Sequence, residues 1–195
     1  MSTASPVTPL APKRRRGHLR VAAILEAAEQ VFAEKGFEGA TMTEIAARSK
    51  TAIGSLYRFF PNKEVLAEAL AADYVEKVLE SLGAIAEKAR GMSARQLAEA
   101  LVDYRMRMKE HRRVVFLLLE ARGGLREKRG GLGGLLRAHL ISILRTALPH
   151  LDQAGAERMA RLTEHLVRLV NELSPGEQAV ADDVIDLLEF YFTKR

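Results

Sequence analysis

Apolar residues return at helical spacing along most of this chain, and β-branched runs of the kind that build strands are scarce. Ile24, Ala28, Val31 and Phe32 line one face of a first helix over about residues 17–35, which Gly36 closes as a C-cap. Leu66, Leu70, Tyr74, Val78, Leu82 and Ile85 define a long helix from 62 to about 90, with Gly83 as a point of bending. Ser93 and Gln96 form a capping box that opens a helix with Leu97, Leu101, Tyr104 and Met108 on one face. Residues 114–119 are apolar all round, which predicts burial. Leu136, His139, Leu140, Ile143 and Ala147 mark a further helix that ends at Pro149. Met159, Leu162, Leu166, Leu169 and Leu173 step by 3, 4, 3 and 4, the seam spacing of helices packed nearly parallel or antiparallel. A restart at Ser174, with Pro175 at the first helical position, leads into a last helix with two stripes. One stripe is Val180, Val184, Leu187 and Tyr191; the other is Ile185, Leu188 and Phe192. The pattern predicts an all-α chain of about nine helices.

Residues 41–64, TMTEIAARSKTAIGSLYRFFPNKE, organise the rest. Thr41 and Glu44 form a capping box, so a short helix starts just after Thr41 and presents Ile45, Ala46 and Ala47 as its apolar side. A polar break at 48–51 follows, with Thr51 able to cap the next helix, 52 to about 60. Ile53, Leu56, Tyr57 and Phe60 have the i, i+3, i+4, i+7 spacing of its inward stripe, which leaves Gly54, Ser55 and Arg58 outside. Pro61 stops it, and Asn62 caps a third helix that begins with Lys63 and Glu64. Two short helices joined by a tight turn read as a helix-turn-helix. Short side chains at the start of the exposed second helix suit entry into the major groove of duplex DNA, with threonines and lysines at helix starts placed for phosphates.

These residues resemble the DNA-binding domain of the TetR/AcrR family of transcriptional regulators. The resemblance rests on Thr41, Ile45, Ala46, Gly54, Leu56, Tyr57, Phe60, Lys63 and Glu64 at the family's spacing, preceded by Phe32, Gly36 and Phe37, and it covers about residues 17–66. Two positions depart from the family's pattern. Lys50 stands where the family has a turn glycine, and Ala52 where it has a capping serine. A non-glycine residue in a left-handed turn costs about 1 kcal/mol, and Thr51 is the candidate to replace the missing cap. The resemblance implies a ligand-responsive homodimer, most often a repressor, in which the long helix from 62 to 90 links ligand binding to the orientation of the DNA-binding head. It also implies dimerisation through a bundle built from the last two helices.

Charge and composition sharpen this division. Residues 1–64 hold ten lysines and arginines against six acidic side chains, whereas the remaining residues are nearly balanced at twenty against nineteen. The positive excess therefore sits on the proposed head, where phosphates would need it. Residues 1–16 read as a disordered, basic N-terminal arm. Its run from Lys13 to Arg16 is either a solubilising tail or a contact along the DNA backbone or minor groove. Residues 17–65 form the helix-turn-helix domain, and 66–195 a helical domain for ligand binding and dimerisation. Cysteine is absent, which fits a reducing cytoplasm. No run of about 18 apolar residues occurs, and no hydrophobic segment follows the basic N-terminus. A cytoplasmic protein without membrane contact is expected.

Base readout falls to Ser55, Arg58 and Ile53 beside Gly54, since arginine reaches guanine and serine reads several bases. Thr41, Thr43, Thr51 and Lys63 are the candidate phosphate holders. Tyr57 either packs or touches the backbone. In the body, Leu101, Tyr104, Met108, Phe116, His139 and Ile143 are core residues that could equally line a pocket for a small-molecule effector. Met159, Leu162, Leu166, Leu169, Leu173, Val184, Leu188 and Tyr191 are the candidate dimer interface, because two apolar faces on the last helix need two partners. The glycine-rich stretch 123–134, GGLREKRGGLGG, lacks the strand before it and the Gly-Lys-Ser/Thr after it that a phosphate loop requires, so it is read as a mobile linker. Enzyme signatures, a cofactor fingerprint and a metal-binding constellation are absent, and Asp182 and Asp183 point to different sides of a helix. The reading is a homodimeric regulator on a double-stranded DNA operator with a small-molecule effector. The alternative is a helical ligand-binding or adaptor protein whose basic head no longer reads sequence.

Overall fold

The computed structural model describes residues 15–121, 125–173 and 177–194. Among them the chain forms eight α-helices: α1 (Arg15–Gly39), α2 (Met42–Arg48), α3 (Ile53–Phe59), α4 (Lys63–Lys88), α5 (Ala94–Ala121), α6 (Leu125–Ala147), α7 (Gln153–Leu169) and α8 (Gln178–Thr193). Short 3-10 turns follow α4 at Ala89–Gly91 and α7 at Val170–Glu172. The all-α expectation holds. The count is eight rather than nine because α5 contains neither Gly nor Pro and runs unbroken through the apolar segment 114–119. That segment is not buried all round: Leu117 is 45% exposed while Val114, Val115 and Leu118 are buried.

Several helix starts and stops carry the bonds their sequences call for. Gly36 takes φ 70°, ψ −179° and breaks the helical path at the expected C-cap. Asn62 Oδ1 accepts from the Val65 amide at 2.8 Å. The Ser93 and Gln96 box is reciprocal, with the Ser93 amide on Gln96 Oε1 at 2.9 Å and the Gln96 amide on Ser93 Oγ at 3.2 Å. The 41–44 box is only half made. Glu44 donates its amide to Thr41 Oγ1 at 3.2 Å, but its carboxylate is drawn to Lys35 Nζ at 2.8 Å instead of back to the cap.

Packing divides the chain into two compact units. One comprises Met1–Val75 with His111–Leu125, the other Glu76–Glu110 with Arg126–Arg195. In the first unit, Ile24, Ala28, Val31 and Phe32 of α1 are buried with Ile45 and Ala46 of α2, Leu56 of α3, Leu66 and Leu70 of α4 and Leu118 of α5. Ala47 is exposed, so the apolar side of α2 is Ile45 and Ala46 alone. His111 Nδ1 of α5 donates to the Glu29 carboxylate of α1 at 2.6 Å.

In the second unit, Val78, Leu82 and Ile85 of α4, which runs unbroken through Gly83, are buried with Leu97, Leu101 and Tyr104 of α5 and Ile143 and Leu144 of α6. Arg95 ties α5 to α8 through Asp186 and Glu189, and Arg137 ties α6 to Glu164 of α7 at 2.9 Å. Three expectations change here. The glycine-rich stretch is helical from Leu125 onward, its residues 123 and 124 lying outside the described residues. A glycine inside a helix costs about 1 kcal/mol relative to alanine, and helix-favouring neighbours such as Leu125, Arg126, Glu127 and Lys128 carry the helix across the four of them. The restart at 174–176 lies outside the described residues. Beyond it, α8 begins only at Gln178, after Glu177, which makes no side-chain cap.

Finally, Met159, Val184 and Leu188 are at most 2% exposed and belong to the unit's own core, not to an outer seam. Leu162, Leu169, Val180, Leu187 and Phe190 form the apolar face left exposed, with Leu166, Leu173 and Tyr191 half-buried. The inner face of α7 is made of small residues, Ala156, Ala160 and Thr163, which let the neighbouring helices close in on Met159. The residues 1–14 of the expected arm lie outside the described residues; Arg15 and Arg16 open α1.

Candidate nucleic-acid interface

The second helix of the pair, α3, is seven residues long, too short to hold itself together by backbone bonds alone. It is anchored by Leu56, Phe59 and Phe60, all 5% exposed or less. Phe60 is already off the helix, at φ −131° and ψ 94°, which turns its ring back into the core. This replaces the inward stripe expected from spacing. Ile53 and Tyr57 are 41% and 47% exposed and stand on the outer side with Gly54 and Arg58, while Ser55 is half-buried. The period of 3.6 allows either assignment over so few residues, and the two phenylalanines at the C-terminal end bury more apolar area than Ile53 and Tyr57 would.

The turn into α3 is formed by Lys50 at φ 51°, the left-handed conformation that glycine adopts most easily. The Thr51 amide donates to the Ala46 carbonyl at 2.9 Å and closes the turn. Thr51 neither caps α3 nor faces outward: it is buried, its hydroxyl donates to the Ser49 carbonyl at 3.3 Å, and the N-cap position is Ala52 with no side-chain bond. Lys63 also differs from expectation. Its ammonium donates to the Glu38 and Ala40 carbonyls at 3.2 and 3.1 Å and lies 4.6 Å from the Phe37 ring centroid, which pins the loop between α1 and α2. Thr41 and Thr43 are exposed at the start of α2.

The basic side chains sort by partner. Arg48 grips Glu34, with NH2 to Oε2 at 2.8 Å, and the hydrogen bonds from Arg48 hold the Glu34 carboxyl below the usual carboxylate range. Lys35 is paired with Glu44. Arg58, 5.4 Å from the Phe59 ring centroid, and Lys50 are exposed without a carboxylate among the described residues. Lys50 is therefore the cation that spacing alone missed. Its signal was present, as a lysine replacing a turn glycine, but its charge became relevant only when the turn pointed it outward. Around Gly54, no atom lies within 4 Å of where a Cβ would stand, so the protein's own packing does not require a glycine there.

The effector residues expected in the body fall in both units. Phe116 belongs to the first unit and lies under the Arg112 guanidinium at 4.2 Å. Leu101, Tyr104 and Ile143 are buried and Met108 half-buried in the second unit, and His139 Nδ1 donates to the Leu135 carbonyl at 3.0 Å, a packing role. A cleft of about 890 Å³ in that unit is lined by Arg90 of the 3-10 turn after α4 and by residues of α6 and the α6–α7 connection, including Ile141, Ser142, Arg145 and Leu151. Among the described residues no group of three or more potential metal ligands occurs, and no helix is long and apolar enough to cross a membrane.

Comparison with known proteins bears on the same segment. The family model for bacterial regulatory proteins of the tetR family matches residues 24–70. HTH-type transcriptional regulators of Mycobacterium bovis and Mycobacterium tuberculosis, one of the latter a repressor, are each 38% identical over 87 residues, 42% of this chain and 46% of theirs. The match spans about half the length of those relatives. Among solved structures, a transcriptional regulator of the TetR/AcrR type from Aquifex aeolicus VF5 superposes with a TM-score of 0.70 at 19% identity, covering 88% of this chain and 99% of that one. AibR, solved in complex with isovaleryl coenzyme A and operator DNA, has a TM-score of 0.58 at 20% identity, covering 87% of this chain and 97% of its own. At these identities the likeness is one of fold, and it carries the helical architecture well beyond the matched head. The chain therefore carries, over residues 24–70, a helix-turn-helix head that matches the tetR family of bacterial regulatory proteins, at the start of an all-α chain of similar fold.

Proposed function

We propose that this chain is a sequence-specific, DNA-binding transcriptional regulator that works as a homodimeric repressor and is released from its operator by a small molecule. The observation that carries the reading is the outer face of α3. Ile53, Gly54, Tyr57 and Arg58 are exposed on a helix whose opposite side is locked into the core by Leu56 and Phe59. A rigidly held helix with an uncommitted guanidinium, a short first turn and two exposed apolar groups suits base edges and thymine methyls in the major groove. Thr41, Thr43, Tyr57 and Lys50 stand as the phosphate contacts, and Ser55 and Arg58 as readers of bases. The exposed face of Leu162, Leu169, Val180, Leu187 and Phe190 supports a two-fold dimer, which would set two heads about 34–36 Å apart on a near-palindromic site. That AibR was solved with both operator DNA and an acyl thioester supports an effector in the helical body.

The test is binding to the upstream intergenic duplex of the chain's own gene against a scrambled duplex of equal length, across a salt series, with stoichiometry from sedimentation. A preference of about a thousand-fold or more with two chains per site is expected, and Arg58→Ala should cost about 1–3 kcal/mol and relax preference at one base pair. Equal binding to both duplexes, lost steeply with salt, would leave charge without readout and favour the adaptor reading.

A further inference from the structure

Among the described residues, Arg105 on α5 is the buried charged side chain, 9% exposed, and its Nε has no hydrogen-bond partner. No carboxylate among the described residues pairs with it. Three other arginines show the reverse. Arg48, Arg95 and Arg137 all reach carboxylates from the surface. This is the opposite of what stability alone favours, because arginine presents five donors and a buried donor without a partner loses its hydration with nothing in return.

Its surroundings combine that charge with an apolar wall. Leu101 and Val102, one turn earlier on the same side of α5, are at most 3% exposed, and Met108, one turn later, is half-buried. Lys109, four residues on, sends its ammonium to the carbonyl of Leu173, the residue that closes the 3-10 turn after α7. Thr163 Oγ1 and Asn171 Oδ1 in the same unit are also buried without partners.

We infer that Arg105 receives the anionic group of the effector, a carboxylate or a phosphate on an apolar body that packs along Leu101, Tyr104 and Met108. The consequence for DNA rests on the proposed function; anion binding itself does not. A guanidinium takes either oxyanion through two parallel N–H bonds. Its burial strengthens that contact by excluding water. The unliganded protein carries the cost of the buried, unbonded Nε–H, and the bound anion removes it.

The experiment is thermal unfolding of the full chain without DNA, in the presence of octanoate, octyl phosphate or octanol, which share a tail and differ in head group. At saturation, octanoate or octyl phosphate should raise the Tm by about 3 °C or more, and octanol by distinctly less; the better of the two anions identifies the head group. Arg105→Met should melt at or above the wild-type temperature without ligand and lose the anion response, and Arg105→Lys should keep part of it. The inference is overturned if octanol stabilises as well as the anions, if neither anion moves the Tm, or if Arg105→Met responds as wild type does. A fall in the Tm of Arg105→Met with an unchanged response in Arg105→Lys would make the residue structural and also overturn it. An anion that binds here yet leaves operator binding intact would count against the regulator reading alone.

Discussion

Lys50 sets stability against binding within one residue. At φ 51° its side chain strains the turn between α2 and α3, and Lys50→Gly should stabilise the protein by about 1 kcal/mol. The same change removes an exposed cation beside α3. Denaturant melts should therefore show a gain in stability while operator affinity falls and the salt slope drops by about one unit. A gain in both would mean that Lys50 touches no phosphate. Tyr57 and Leu56 are neighbours with opposite fates. Tyr57 is 47% exposed and Leu56 fully buried, so truncating Leu56 removes core and truncating Tyr57 removes only surface. Leu56→Ala should cost about 2–5 kcal/mol, whereas Tyr57→Ala should stay within about 0.5 kcal/mol of wild type and lose affinity for DNA. A Tyr57 variant that unfolds would return that residue to the core.

At the scale of elements, α1 and α2 are joined by Arg48 and Glu34 across their exposed edges. The folded Glu34 carboxyl lies below its ordinary value, first because of the hydrogen bonds from Arg48. A depressed carboxylate contributes stability that is fully present above its unfolded pKa, about 4.3, and is lost as pH falls through the lower folded value. The stability difference between wild type and Glu34→Gln, followed by denaturant melts from pH 7 to pH 2, should therefore be constant at neutral pH and shrink below about pH 4.3. A difference that persists at pH 2 would mean the carboxylate is not what joins the two helices. Lys63 belongs at this scale too. It looks like a phosphate ligand from its place at a helix start, but its contacts to the Glu38 and Ala40 carbonyls make it a clasp within the head.

Across the whole molecule, the apolar surface that burial leaves over is the assembly surface of the proposed dimer. Leu187 and Phe190 are 54% and 58% exposed on α8, one and two residues away from the fully buried Leu188. Leu187→Asp should convert a dimer to a monomer in sedimentation without loss of helical signal, because the charge enters only the interface. Leu188→Asp should unfold the chain, since an unpaired charge in the core costs several kcal/mol. A Leu187→Asp protein that stays dimeric would place the interface elsewhere.

Helix identity, capping and the site of the helix-turn-helix could all be read along the chain, because they depend on residues three or four apart: the Ser93 and Gln96 box, the cap at Asn62, the buried line from Leu66 to Ile85. The left-handed turn at Lys50 was legible only through the resemblance, which places a turn glycine at that position. Which stripe of a helix faces inward was not, wherever two apolar stripes competed. Ile53 and Tyr57 lost to Phe59 and Phe60, and Met159, Val184 and Leu188 went to the core while Leu162, Leu187 and Phe190 stayed outside. That choice belongs to tertiary packing, since periodicity defines a face but only the neighbouring helices decide which face they cover. The unpaired state of Arg105 is of the same kind. A sequence counts charges, but the partners of each charge come from elements far apart along the chain.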